Sequence, residues 1–252
     1  HIGPIVHDEP LLAESLVECV GQGVALIVGE TAAACRQAAE LIEVKYEPLP
    51  AVKTIKEAIA ADAFLTTPHC ITRGDVDQAL DNAALRLQGE AHNGAQNHFY
   101  LETQAAFSVP EEQGRIRILS STQHPTEMQR MAALILGVPQ HQVICDVPRM
   151  GGGFGGKESQ STNYGCLAAL ATHFTGKPVK IVLNRDDDMC MTGNRHPFWS
   201  RYDAGFDENG RITALKVEIY SDGGWVSDLS TAIMDRALFH LDNAYYIPNL
   251  HF

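Results

Sequence analysis

Met150-Gly151-Gly152-Gly153-Phe154-Gly155-Gly156-Lys157-Glu158 is the stretch from which the rest of this chain is best read. Residues 151–156 hold five glycines in six positions, which permits unusual φ angles and lets backbone approach a ligand closely. So much glycine costs conformational entropy on folding, which disfavours a role in packing alone. Residues 142–147 before it read as a strand, and residues 158–174 after it carry a helical pattern closed by Gly176. A glycine loop between strand and helix gathers backbone N–H groups at the positive helix end, which suits an anionic or oxygen-rich ligand.

Two nucleotide patterns overlap the loop, and each fails at a residue its chemistry needs. Gly151-x-Gly153-x-x-Gly156 has the dinucleotide spacing, but the acid expected about 20 residues on is missing, because that place falls in the alanine-rich run near Ala171. Gly151 to Lys157 begins a phosphate-binding loop, yet the hydroxyl residue that should follow and bind Mg²⁺ is Glu158, whose charge would repel a triphosphate. A non-catalytic anion- or nucleotide-binding module is the alternative these patterns leave open.

Outward from the loop, strands and helices interleave without strict alternation, so the fold class is α+β, a mixed α/β arrangement. Towards the N-terminus, residues 116–119 and 105–109 read as strands, and Pro125 opens a helix that runs to residue 136 and closes at Gly137. Beyond the loop, residues 179–183 read as a buried strand, and residues 201–206 and 212–220 as a hairpin around Glu208-Asn209-Gly210. Near the start, residues 24–28 and 44–46 read as strands around a helix over 32–41 capped by Thr31, and residues 53–61 as a short helix. A connector over 62–75 separates a small α/β domain, residues 1–70, from a larger one, residues 71–252.

The bulk numbers exclude several classes of partner. The net charge is −12, from 31 acids against 19 bases, which speaks against a nucleic-acid partner and an anionic membrane surface. No apolar run approaches the roughly 20 residues that span a bilayer, and residues 1–10 show no secretory leader. Six widely spaced cysteines form no Cys-x-x-Cys pair, so no zinc or iron–sulfur site is expected, and reduced thiols in a cytoplasmic protein are. The histidines show no metal-ligand spacing, and Asp186-Asp187-Asp188 reads as a solvated turn. The chain opens at His1 and stops in an apolar segment at Phe252, which reads as one part of a longer subunit.

The glycine loop closely resembles that of the xanthine dehydrogenases and related molybdenum hydroxylases. Four further segments resemble the same family in the same order: His98-Phe99-Tyr100-Leu101-Glu102, Ser121-Thr122-Gln123-His124-Pro125, Arg185-Asp186-Asp187-Asp188-Met189 leading to Gly193-Asn194-Arg195-His196-Pro197-Phe198, and Asp235-Arg236-Ala237-Leu238. The resemblance implies a hammerhead-like small domain followed by the first part of a molybdopterin-binding domain. It implies a molybdenum–pyranopterin cofactor held through its own dithiolene sulfurs, with no side-chain metal ligand. That centre inserts water-derived oxygen into a purine such as xanthine or hypoxanthine. A related aldehyde or N-heterocycle hydroxylase is the alternative within enzymes.

By the same resemblance Gln123 donates its amide to a molybdenum oxo ligand, and Phe154 brings its backbone N–H to the centre. Gly152, Gly153 and Gly155 make room for the cofactor, and Glu158 orients the substrate. A neutral donor such as Gln123 stabilises oxo charge without adding a proton that titrates. Glu102 is assigned a structural hydrogen-bonding role. The family's general-base glutamate lies beyond the matched motifs, and iron–sulfur clusters and FAD belong to partner domains or subunits, so this chain alone is expected to be inactive.

Overall fold

In a computed structural model covering residues 1–252, the chain builds two sheets and seven helices. Its first half contains α1 (Ala32–Glu40), α2 (Ile55–Ala60), β1 (Thr72–Arg73), α3 (Val76–Asp81), β2 (Leu85–Asn93), β3 (Ala105–Pro110), β4 (Ile116–Ser120) and α4 (Pro125–Leu136). There follow β5 (Val143–Asp146), α5 (Ser161–Thr175), β6 (Val179–Val182), α6 (Arg185–Met191), β7 (Phe198–Phe206), β8 (Ile212–Ser221), α7 (Ser230–Phe239) and β9 (Asn249–His251). The mixed α/β class expected from the sequence is what forms. No helix is long and apolar enough to cross a membrane.

Two compact units assemble from interleaved stretches. The first comprises residues 1–50, 97–194 and 225–228, and the second residues 51–96, 195–224 and 229–252.

The first unit is built on a four-stranded sheet in the order β5-β4-β3-β6, with β4 and β5 parallel and the other pairs antiparallel. Strand β4 alternates as a half-buried strand should, with Ile116, Ile118 and Ser120 inward. Helix α4 starts with Pro125, whose missing N–H costs nothing there, and stops where Gly137 turns left-handed at φ 65°. Its Met128 and Met131 meet Ile116, Ile118, Val143 and Cys166 in the core. Helix α5, the most buried helix of the unit, packs against α4 and the sheet. Residues 158–160 join the glycine loop to the first residue of α5, and the strand–loop–helix order β5–loop–α5 positions the site.

The N-terminal arm enters the same unit. Ile2 is buried in the core and bridges to Glu9, whose carboxylate accepts from the Asn163 amide at 2.7 Å. Burial pushes Glu9 up from 4.5 to about 7, with the carboxylates of Asp228 and Asp8 adding to the shift. The folded state therefore holds this proton more tightly than the unfolded chain. Glu9's contribution to stability is fully present below pH 4.5 and is lost as the pH rises through 7. Glu9→Gln keeps the acceptor for Asn163 and removes the charge. It should stabilise the chain by up to about 3 kcal/mol at pH 8 and by little at pH 5, judged by paired denaturant melts. Equal gains at both pH values would rule the ionisation out.

The second unit holds a five-stranded sheet in the order β1-β9-β8-β7-β2. The expected hairpin is present, longer than read, with Asp207 Oδ1 accepting from the N–H groups of Asn209 and Arg211 across the turn. Val217, Leu238, Ile247, Leu250 and Phe252 form its main core. Short helix α2 carries a complete capping box between Thr54 and Glu57.

Some local expectations fail. Residues 24–28 and 44–46 form no strand, although the helix between them does. A strand persists only where a neighbour takes its backbone bonds, and no strand of this chain runs beside either segment. Helix α5 begins at Ser161 rather than at residue 158. Gly156 N–H→Gly153 O at 2.8 Å, Glu158 N–H→Gly155 O at 3.3 Å and Thr162 N–H→Ser159 O at 2.9 Å are tight turns that delay the first helical turn. The acids 186–188 are not a solvated turn: they form the first turn of α6, capped by Asn184, and Asp188 is buried. Negative charge suits a helix start, and α6 offers a reason for all three.

Candidate functional site

The glycine loop leaves β5, folds back over the ends of β3 and β4, and enters α5. Gly152 and Gly155 stand at φ 100° and 96°, where a side chain would be strained. Phe154 adopts φ 54° without being glycine, and its ring is exposed. Such a residue is uncommon, and strain of this kind concentrates where a chain meets a ligand.

Gln123 follows β4 and reaches into the loop. Its backbone N–H bonds to Lys157 O at 2.8 Å, and its Oε1 accepts from Gly155 N–H at 2.9 Å and from Lys157 N–H at 3.3 Å. Two backbone donors on Oε1 orient the carboxamide, so its Nε2 amine is the face left exposed, and it donates to no protein group. The N–H groups of Gly152, Gly153 and Phe154 also have no protein acceptor. A Cβ on Gly153 would stand 2.5 Å from Gln123 Oε1, so the close approach of glutamine and loop requires glycine there. The geometry thus brings Gln123, Gly152, Gly153, Phe154 and Gly155 together, with Gln123, Phe154 and Gly155 exposed, Gly152 partly so and Gly153 buried against the Gln123 side chain. Glu158 closes the loop, exposed to solvent, with its side chain making no hydrogen bond or ion pair.

Behind these residues lies a polar frame, buried at Tyr100, Gln104, Ser121, Lys157 and Asp188 and partly exposed at Glu102. Tyr100 Oη donates to Asp188 Oδ1 at 2.9 Å, and Gln104 N–H donates to Asp188 Oδ2 at 2.7 Å. Gln104 Nε2 reaches both Tyr100 Oη at 2.9 Å and Gly156 O at 3.0 Å. Burial, reinforced by the bond to Asp188, pushes Tyr100 up to about 12, so it remains a donor at ordinary pH. Glu102 Oε2 collects Gly151 N–H at 2.7 Å, Ser121 Oγ–H at 2.5 Å and Lys157 Nζ at 3.3 Å. Burial acts to raise Glu102, but these donors hold it below the usual carboxylate range. Lys157 is fully buried; burial lowers its amine's pKa and Glu102 pulls it back up.

Sequence reasoning missed most of this frame. Tyr100, Gln104, Lys157 and Asp188 come from three separated stretches, and no spacing rule links them. The sequence offers two signals for it: Lys157, a charged residue inside a glycine run, and Glu102, to which a structural hydrogen-bonding role is assigned.

A strand-to-helix loop with unclaimed backbone donors, beside an oriented neutral amide, suits an anionic or oxygen-rich ligand. Residues 61–252 match the family model of the molybdopterin cofactor-binding domain, and the chain belongs to that family. Residues 1–50 match the aldehyde oxidase and xanthine dehydrogenase a/b hammerhead domain. The xanthine dehydrogenase/oxidase of Gallus gallus is 44% identical over 251 residues, covering 99% of this chain and 18% of the relative. The xanthine dehydrogenase of Dictyostelium discoideum is 41% identical over 249 residues, again 99% of this chain and 18% of the relative. The chain thus spans about a fifth of the length of the curated relatives it matches. Among solved structures, the aldehyde oxidoreductase from Desulfovibrio gigas superposes with a TM-score of 0.88 at 26% identity, over 97% of this chain and 28% of that one. Quinoline 2-oxidoreductase from Pseudomonas putida 86 gives 0.85 at 25% identity, over 96% and 32%.

Proposed function

We propose that this chain forms part of the molybdenum–pyranopterin site of a hydroxylase that oxidises a purine, xanthine or hypoxanthine. The observation that carries this is the pairing of Gln123 with the loop: Oε1 is held by two backbone amides, which leaves Nε2 as an outward neutral donor. An oxygen-rich group fits that donor and the unclaimed N–H groups of Gly152, Gly153 and Phe154 without a side-chain metal ligand. When bound, the cofactor supplies an acceptor for a hydride equivalent and delivers water-derived oxygen to an electron-poor carbon.

The residues of this chain then bind and orient. Gln123 donates to an oxygen of the cofactor, and Gly152, Gly153, Phe154 and Gly155 hold it by backbone contact. Glu158 takes a substrate N–H or shares a proton as charge builds on the ring; its exposure and lack of protein partners leave both carboxylate oxygens available for this. The identities to xanthine dehydrogenases and the carboxylate at position 158 favour a purine over an aldehyde.

In this reading the small domain spans residues 1–70 and the cofactor domain begins at 71; the two family matches cover residues 1–50 and 61–252. The general base, iron–sulfur clusters and FAD lie on other domains or subunits, and the assembly works in the cytoplasm, where six free cysteines stay reduced. Molybdenum and pterin content of the complete protein from its own host tests the proposal. About one molybdenum per copy is expected on the one-site stoichiometry, and a complete assembly with neither metal nor pterin would sink it.

A further inference from the structure

The side chain of Lys157 contacts none of the residues assigned to the cofactor or the substrate, yet it is fully buried, at 0% exposure. Burying an ammonium is unfavourable unless its protons are all met. Here they are: Nζ donates to Ser121 Oγ at 2.7 Å, pairs with Glu102 Oε2 at 3.3 Å, and sits 4.7 Å from the centre of the Tyr100 ring.

The main chain of Lys157 is equally engaged. Its N–H bonds to Gln123 Oε1, and its carbonyl accepts from Gln123 N–H at 2.8 Å, Ser161 Oγ at 3.1 Å and Thr122 Oγ1 at 3.2 Å. At the other end of the loop, Gly151 is held twice by Glu102: its N–H donates to Oε2, and its carbonyl accepts from Glu102 N–H at 3.2 Å. One carboxylate oxygen therefore joins Gly151, where the loop begins, to Lys157, where it ends. The same lysine orients the carboxamide of Gln123.

We propose that Lys157, acting through Glu102 and Ser121, is a positioning residue that closes the neck of loop 151–157 and so holds the Gln123 amine and the Phe154 backbone in one fixed relation. This deepens the functional reading above and rests on it for what the loop receives. The clamp itself exists without a cofactor and is testable without one.

Three variants of the complete protein test the clamp: Lys157→Met, which keeps the length and removes the charge; Glu102→Gln; and Ser121→Ala, the mildest. Hydrogen exchange on the cofactor-free protein compares a peptide over 151–158 with one inside α5. Expected is at least about a tenfold faster exchange of the loop, with α5 protection retained. Should Lys157→Met not fold, Ser121→Ala and Glu102→Gln carry the same comparison. Loop exchange within twofold of wild type in every folded variant overturns the proposal.

In the molybdenum-loaded protein, the clamp predicts a shifted or split paramagnetic resonance signal from the reduced metal in the fraction that still binds it. A lysine that served stability alone would lower loading and leave that signal unchanged, which also overturns the proposal. If wild-type protein holds no molybdenum or pterin, the functional reading fails, and the exchange comparison still decides whether the clamp exists.

Discussion

Gly153→Ala should cost this domain its cofactor while leaving its fold standing. The backbone at 153 is not in the left-handed region, so alanine is conformationally allowed. The obstacle is contact: the new Cβ would stand 2.5 Å from Gln123 Oε1, 2.9 Å from its Cδ and 3.0 Å from its Cγ. A glutamine side chain can swing aside, and this one must. The movement breaks its bonds to Gly155 and Lys157 and turns the Nε2 donor away. Two hydrogen bonds, one exposed and one part-buried, at about 1 kcal/mol each bound the loss of stability. That amounts to a fall in Tm of only several degrees. Molybdenum content, measured on protein of confirmed Tm, should fall at least about tenfold, since 1.4 kcal/mol of lost cofactor affinity suffices for that factor. Full loading of a folded Gly153→Ala protein would show that the cofactor does not depend on the Gln123–loop geometry.

Glu158→Ala separates chemistry from stability even more sharply. The side chain is exposed and has no partner in the protein, so its removal should change stability by no more than about 0.5 kcal/mol. If the carboxylate holds a purine N–H and shares its proton, kcat/KM for the purine should fall by about 10²–10⁴-fold. An aldehyde offers no ring N–H to lose, so its turnover should drop far less, and the ratio of the two rates is the informative measurement. Equal losses on both substrates would assign Glu158 to the loop's architecture. Unchanged purine turnover in the complete assembly would remove it from the site.

Gln123 and the loop were legible because they form two short motifs whose resemblance to one family is specific, and because glycine density and helix entry are local properties. The elements with strong local punctuation were equally legible: α4 between Pro125 and Gly137, the hairpin around Gly210, and α2 with its capping box. Strand β2 was not, although it pairs with β7 along nine residues. It is exposed along almost its whole length, so neither face imposes an apolar alternation that a periodicity argument can detect. Residues 24–28 failed in the opposite sense: they carry the composition of a strand but have no strand beside them.

The sequence by itself determined the mixed α/β class, the glycine loop and, through its short motifs, the family, since each depends on nearest neighbours along the chain. Tertiary structure alone decided what holds that loop in shape. Tyr100, Glu102, Gln104, Ser121, Lys157 and Asp188 converge from distant stretches, and Asp188 changes from an apparent surface acid to a buried acceptor of two bonds. The physical reason is that a buried polar group is stable only when its partners are brought to it. Those partners are chosen by the packing of sheet and helices, which no local spacing records.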